Sequence, residues 1–303
     1  MVPLLDRRLL IVSGKGGTGK SSISAGLALA ASRAGKRTLV CELNASDRVT
    51  QLLGFAPTGP RIAPLQENLW AVNIRPEDAM REYALMVLRL ESIYRAVFEN
   101  RFVRYFLRFI PSLHELVMLG KVLYHVKETL DGGENRFDLV VMDAPATGHA
   151  ISFLSVPKVL VETVPPGAMR REAERMREIL EDEKLTAVVL VSLPEEMPVN
   201  ETLELFASLQ SRVNILPQAV VLNSFTAERF TTDELQALQT TPLLLELAED
   251  HRRLAQFSRE FRETLQQRLT VPVLIVPRLY EPTFGRSSIE AIAAHLEPEL
   301  STS

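Results

Sequence analysis

Apolar residues along this chain gather into short continuous runs separated by stretches of helical period. The runs are Leu9 to Ser13, Thr38 to Leu43, Leu69 to Ile74, Phe137 to Met142, Thr186 to Leu193, Gln218 to Asn223 and Val271 to Val276. They are rich in Val, Ile and Leu and lack the polar alternation of a half-exposed strand. Each therefore predicts a strand covered on both faces. Buried strands separated by helical segments predict an α/β fold with a doubly wound, mostly parallel sheet between helical layers. Asp131-Gly132-Gly133-Glu134-Asn135 predicts a loop before the fourth strand, and no internal repeat or low-complexity stretch is visible.

One region breaks the strand–helix alternation. From about Glu77 to Leu130 there is only helical pattern, interrupted at Pro111, which predicts a helical insertion over residues 77–130 of a single domain spanning 1–303. Inside it, Arg101, Arg104 and Arg108 share one helical face, and Phe102, Val103, Phe106, Phe109 and Ile110 share the other. That pattern suits a helix packing its aromatics on the body, and it also suits a surface for an apolar partner.

Composition narrows the setting. With 34 Lys+Arg against 38 Asp+Glu, a net charge of −4 and 46% hydrophobic residues, the 303-residue chain has the make-up of a folded, mildly acidic protein. The acidic balance predicts no general nucleic-acid binding, which needs concentrated Lys and Arg. A single cysteine, Cys41, leaves no internal disulfide and no cysteine-based metal site within one subunit. No apolar run approaches the roughly 18 residues of a spanning helix, so the sequence reads as a cytoplasmic chain without stable membrane insertion.

The candidate chemistry begins directly after the first strand. Gly14-Lys15-Gly16-Gly17-Thr18-Gly19-Lys20-Ser21, followed by a helical run opening at Ser22, fits the phosphate-loop pattern G-x-x-x-x-G-K-[ST] in its strand–loop–helix context. Glycines let successive backbone N–H groups curl around a phosphate at a helix N-terminus. The motif predicts ATP and Mg²⁺ as ligands, with Lys20 spanning the β- and γ-phosphates and the Ser21 hydroxyl on the metal. Asp143, at the end of the fourth predicted strand, suits a carboxylate accepting from a metal-bound water, although a turn carboxylate would also sit there.

Lys15, immediately after the first glycine, completes a K-G-G-T-G-K-S string that resembles the deviant phosphate loop of a dimerising ATPase group. That group includes the arsenite-pump ATPase, the tail-anchored-protein targeting factor, the MinD and ParA-type ATPases and the nitrogenase iron protein. The resemblance implies a homodimer in which Lys15 reaches the nucleotide of the facing subunit. Asp143-Ala144-Pro145-Ala146-Thr147-Gly148-His149 resembles the D-T-A-P-T-G-H segment of the arsenite-pump and tail-anchor-targeting ATPases, a segment with the turn formers of a switch. Pro111 to Leu116, and Leu193 to Glu196 followed by Asn200-Glu201-Thr202, resemble further segments of the same family. The resemblance also implies that Asn223 reads adenine, with Pro277 and Arg278 near the same base; the alternative for Asn223 is an Asx turn.

Departures from the family matter. Only Cys41 is present, so neither a dimer-bridging zinc nor a cysteine arsenite site carries over, and one phosphate loop stands where the metalloid pump has two. Asn44 aligns with the family Asp that positions attacking water; an amide orients water but takes no proton. Glu42, two residues earlier on the same strand face, is the candidate substitute, and Asp47 is read as a favourable charge at a helix start. The resulting expectation is a Mg²⁺-dependent, homodimeric and slow ATPase, with Lys15, Lys20, Asn44, Glu42 and Asp143 in the chemistry and an unidentified protein client. The alternatives are a nucleotide-gated scaffold with little hydrolysis, a MinD- or ParA-like positioning ATPase, and a metalloid-pump subunit. The positioning role would need an amphipathic membrane helix or a basic face, and the segment from Ser287 to Ser303 suggests neither.

Overall fold

The computed structural model describes residues 3–88, 113–145 and 147–301. In chain order the elements are β1 (Leu9–Gly14), α1 (Lys20–Arg33), β2 (Thr38–Leu43), α2 (Arg48–Leu52), β3 (Ala63–Gln66), β4 (Leu69–Ile74), α3 (Pro76–Leu88) and α4 (Leu113–Lys127). There follow β5 (Leu139–Asp143), α5 (Thr147–Thr163), α6 (Ala168–Glu181), β6 (Thr186–Ser192), α7 (Glu196–Ser208), β7 (Ala219–Phe225), α8 (Thr232–Ala237), α9 (Pro242–Arg268), β8 (Val273–Pro277) and α10 (Arg286–Ser301).

The strands form one sheet in the order β3-β4-β2-β5-β1-β6-β7-β8. Every pair is parallel except β3 with β4. All seven predicted runs became strands, because parallel neighbours joined by crossover helices are buried on both faces and select continuous apolar sequence. The strand missed is β3, Ala63–Gln66, an antiparallel edge carrying Pro64 and a register shift. Pro and polar residues are tolerated there because an edge strand has a free side, so no apolar run announces it.

Side chains alternate between two cores. Leu10 and Val12 of β1 face a layer built on α1 and α10, whereas Leu9 and Ile11 face one that includes α4, α7 and α9. α10 corrects the reading of the C-terminal segment. Ile289, Ile292, Ala293, Leu296 and Leu300 are fully or almost fully buried, so the segment is an amphipathic helix whose apolar face packs on the body against α1. Alanine and proline content hid a periodicity that α1 satisfies. Of the predicted insertion, α3 and α4 are helical as expected, while Pro111 and the Arg101–Ile110 face lie outside the described residues. Among the described residues no helix is long and apolar enough to cross a membrane.

Candidate functional site

The phosphate loop leaves the C-terminal end of β1 at the centre of the sheet, where β5 and β6 flank it. Gly14 has φ +150°, and a Cβ on it would stand 2.3 Å from the Val191 carbonyl oxygen of β6. Only glycine allows the loop to begin so close to its neighbour. Gly19, the residue before α1, has φ +91°, and a Cβ there would meet the Asn223 amide nitrogen at 2.3 Å. That amide donates to the Thr18 carbonyl at 2.9 Å. Asn223, expected near the base, is thus brought against the loop itself by β7, with Gly19 the notch it occupies.

At the head of α1 the Ser21 hydroxyl donates to Asp143 Oδ2 at 2.7 Å, and the Ser24 hydroxyl to Oδ1 at 3.1 Å. Ser22 is buried in the same turn. Burial raises the Asp143 pKa, opposed by these two hydroxyls and by the charge of Lys20. Lys20 donates to the Lys15 carbonyl at 2.9 Å, and burial lowers its pKa. A serine hydroxyl beside a carboxylate at a helix N-terminus is an oxygen donor set that fits a hard divalent cation. Among the described residues no group of three or more His, Cys, Asp or Glu gathers to hold a metal by itself. Gly16 and Gly17 are exposed on the loop, and the side chain of His149 is outside the described residues.

Lys15 is held within its own chain. Its ammonium lies 2.6 Å from Glu201 Oε1 on α7, with both side chains about one third exposed, at 28% and 31%. Sequence reading noted Glu201 as a family-like residue but had no means of pairing it with a loop 186 positions away. Ser24 was missed as well; its spacing of three from Ser21 on a helix is the signal that both hydroxyls share a face.

The segment after β2 differs from its expected arrangement. β2 ends at Leu43, and Asn44 turns into the left-handed region with φ +49°, so strand alternation no longer relates it to Glu42. Asn44 is exposed, whereas Glu42 is 1% exposed. Glu42 Oε1 accepts the Val49 N–H at 3.0 Å, and its Oε2 is buried without a hydrogen-bond partner. Register sets Glu42 between Asp143 and Asn73. Burial, reinforced by the charges of Asp143 and Asp47, pushes the Glu42 pKa up to about 7.

Asp47 is not a simple helix-start charge. It is 4% exposed, and its Oδ1 accepts the N–H groups of Thr58 and Gly59 at 3.2 and 3.0 Å while Arg75 stands 3.8 Å from Oδ2. The helix it precedes, α2, has only five residues. Asp47 therefore ties the segment after β2 to the turn before β3. Asn73, which sequence reading passed over as a polar residue in an apolar run, donates to the Ala45 carbonyl at 2.6 Å and anchors the same segment from β4.

Pro277 ends β8 opposite Phe225, and the Arg278 N–H donates to the Phe225 carbonyl at 2.8 Å. The Arg278 guanidinium lies 5.8 Å from the Tyr280 ring centroid. Arg278 also lines a cavity of about 370 Å³ with Leu193, Ser224, Leu254, Phe257 and Phe261. Asn223 is not among the residues of that cavity; its side chain is turned to the phosphate loop, against Thr18 and Gly19.

Comparison with known proteins identifies a family of ATPases to which the sequence is similar. A family model described as anion-transporting ATPase matches residues 7–169 and 162–242. The ATPase BagA of Mycobacterium tuberculosis is 32% identical over 209 residues, covering 67% of this chain and 61% of that protein. The ATPase GET3B of Arabidopsis thaliana is 25% identical over 260 residues, covering 69% of this chain and 62% of that protein. The ATPase ARSA1 of Chlamydomonas reinhardtii is 28% identical over 178 residues, half of this chain and 22% of that protein. The chain thus spans less than two thirds of the length of these relatives. The phosphate loop, the Ser21–Asp143 contact and strands β1 to β7 lie inside the matched segments, and the chain is a member of the ArsA and GET3 family of anion-transporting ATPases.

Proposed function

We propose that this chain is a Mg²⁺-dependent ATPase that works as a homodimer, closing two phosphate-loop edges around ATP and reopening after hydrolysis to capture and release a protein client. The observation that carries the reading is the head of α1, where Lys20, Ser21 and Asp143 converge on the end of the phosphate loop. Backbone N–H groups from Gly16 to Ser22 cradle the phosphates, and Lys20 exchanges the Lys15 carbonyl for the β- and γ-phosphate oxygens. Ser21 would hold Mg²⁺ directly and Asp143 through a water, and the bound metal would neutralise phosphate charge. Their present mutual hydrogen bond keeps both oxygens gathered and satisfied before ligand arrives.

Lys15 leaves Glu201 for the facing nucleotide, so closure exchanges one ion pair for another contact. Asn44, exposed beyond β2, orients the attacking water, and Glu42 is the nearby carboxylate whose pKa of about 7 suits proton uptake. The Glu42 oxygens are buried beneath this segment, so a proton reaches them only when the segment moves; hydrolysis is therefore slow. Asn223, Pro277 and Arg278 border the base. Residues 1–303 act as one domain with 77–130 as a helical insertion within it, in the cytoplasm, without nucleic acid.

The test is phosphate release from ATP with and without Mg²⁺. Wild type should turn over only with the metal, and Lys20→Ala should lose both ATP binding by calorimetry and turnover. Full ATP binding by Lys20→Ala would refute the reading. Tight ATP binding with no phosphate release by wild type would favour the nucleotide-gated scaffold, for which the exposed amide at Asn44 is the supporting observation.

A further inference from the structure

A second cavity, of about 400 Å³, lies away from the phosphate loop. Its walls come from the turn before β3 (residues 60–62), from Glu82 on α3, from the last two turns of α4 and from Arg136, just before β5. Arg136 stands at the opposite end of β5 from Asp143, and no residue of the phosphate loop lines the cavity. Its size is that of a small-molecule site.

Charge is spread unevenly over these walls. Arg61, Lys121 and Arg136 bring three cations against the two carboxylates of Glu82 and Glu128, which leaves one positive charge in excess. His125 adds none at pH 7, because burial lowers its pKa below the ordinary 6.5. The carboxylates are already engaged. Glu128 accepts from Arg136 through Oε1 at 2.6 Å and from His125 Nδ1 through Oε2 at 2.7 Å, and Glu82 accepts from Lys121. Each pair fixes its cation in place and still leaves it N–H groups to donate, since an ammonium has three and a guanidinium five. Arg61, on the turn before β3, is exposed and has no ion pair or hydrogen bond among the described residues. Two held cations and one unheld guanidinium thus surround a space with donors in surplus. Tyr124, 55% exposed and set edge-on to the His125 ring at 5.4 Å, and the half-buried Ile62 supply its apolar wall.

These features select a class of ligand. One unbalanced positive charge matches a monoanion, whereas a phosphate monoester near pH 7 would overcharge the cavity. A planar carboxylate accepts two parallel N–H bonds from one guanidinium fork. An aromatic body on that carboxylate covers the tyrosine ring.

We propose that this cavity binds a small aromatic monocarboxylate, held by Arg61, Lys121 and Arg136 with its ring against Tyr124. The ligand joins the turn before β3 to α4, and so ties the helical segment to the edge of the sheet. The proposal goes beyond the nucleotide reading and is independent of it, since the lining includes none of the residues placed around ATP.

Calorimetry of the full chain with benzoate, phenylacetate and 3-phenylpropionate tests the site. At least one should bind at about 1 mM or tighter and raise the melting temperature as its concentration rises. Arg61→Ala changes an exposed side chain, so folding should survive, which circular dichroism checks. It should weaken that binding about tenfold or more, and Arg61→Lys, which keeps the charge without the fork, should recover part of it. Tyr124→Ala should weaken it about threefold or more. No binding of any of the three up to about 10 mM, or Arg61→Ala that binds as wild type does, would overturn the proposal. Inorganic phosphate that binds Lys20→Ala more tightly than every carboxylate would overturn the ligand class. Lys20→Ala also separates the two readings, because it should lose ATP and keep the carboxylate. A chain that hydrolyses ATP but binds no carboxylate sinks this cavity alone and leaves the nucleotide site standing.

Discussion

Replacing Glu42 by Gln isolates the energetic consequence of burying a carboxyl beside the phosphate site. Glu42 is 1% exposed, one oxygen accepts the Val49 N–H and the other has no partner. Its pKa rises from an ordinary 4.5 to about 7, mainly through burial. A carboxyl whose folded pKa lies above its unfolded one binds its proton more tightly in the folded chain. Its contribution is therefore fully favourable below about pH 4.5 and is lost as pH climbs through 7. Between pH 5 and pH 8.5 the loss integrates to about 2–3 kcal/mol at 1.36 kcal/mol per unit. Gln keeps the acceptor for Val49 but cannot ionise, so the variant should gain that amount on wild type across the interval. A constant offset of about 1 kcal/mol from the buried amide N–H₂ is expected at every pH and cancels in the comparison. Urea unfolding of both proteins at a series of pH values, with chelator and without nucleotide, measures it. A difference between the two that stays flat within about 0.5 kcal/mol from pH 5 to pH 8.5 would refute the reasoning, since Glu42 would then titrate as an exposed carboxylate does.

Gly14→Ala must push against the Val191 carbonyl at 2.3 Å, which is backbone and cannot swing aside, so we expect a loss of about 3 kcal/mol or a failure to fold. A thermal melt near that of wild type would contradict the close approach of β1 and β6. Asp47→Ala strips acceptors from the Thr58 and Gly59 N–H groups and should cost about 2–4 kcal/mol by urea unfolding. Turnover per folded molecule should stay within about twofold, a bound set by keeping Asp47 out of the proton chemistry; stability unchanged with turnover abolished would make Asp47 the water-organising residue. Glu201→Gln breaks a partly exposed ion pair and should change stability by less than about 1 kcal/mol while releasing Lys15. Association induced by a non-hydrolysable ATP analogue should strengthen in Glu201→Gln and vanish in Lys15→Ala, with ADP affinity near normal in both. Equal loss of ADP binding on removing Lys15 would show it to be a ligand of its own subunit's nucleotide.

The sequence by itself determined the sheet and the loop. Seven buried parallel strands were legible because burial on both faces demands continuous Val, Ile and Leu, and that demand is local. The phosphate loop was legible for the same reason: glycine, lysine and serine act through backbone conformation and a helix start, all within eight residues. What tertiary structure decided depends on which distant residues become neighbours. Glu201 lies far along the chain from Lys15, and only the adjacency of β1 and β6 brings α7 to the loop. Asn223 reaches Thr18 because β7 is placed two strands away from β1, and Gly19 makes room for it. The placement of Asn44 relative to Glu42 differs from the sequence reading because the left-handed turn at Asn44 ends the period-two relation on which that reading rested. Asp47 looked like a helix charge until its carboxylate was seen to close a turn eleven residues on. Amphipathic pattern shows the same limit from the other side. α10 buries its apolar face because α1 is there to receive it, while Leu243, Leu247, Leu254 and Phe257 of α9 stay about half exposed among the described residues although their helix is just as periodic.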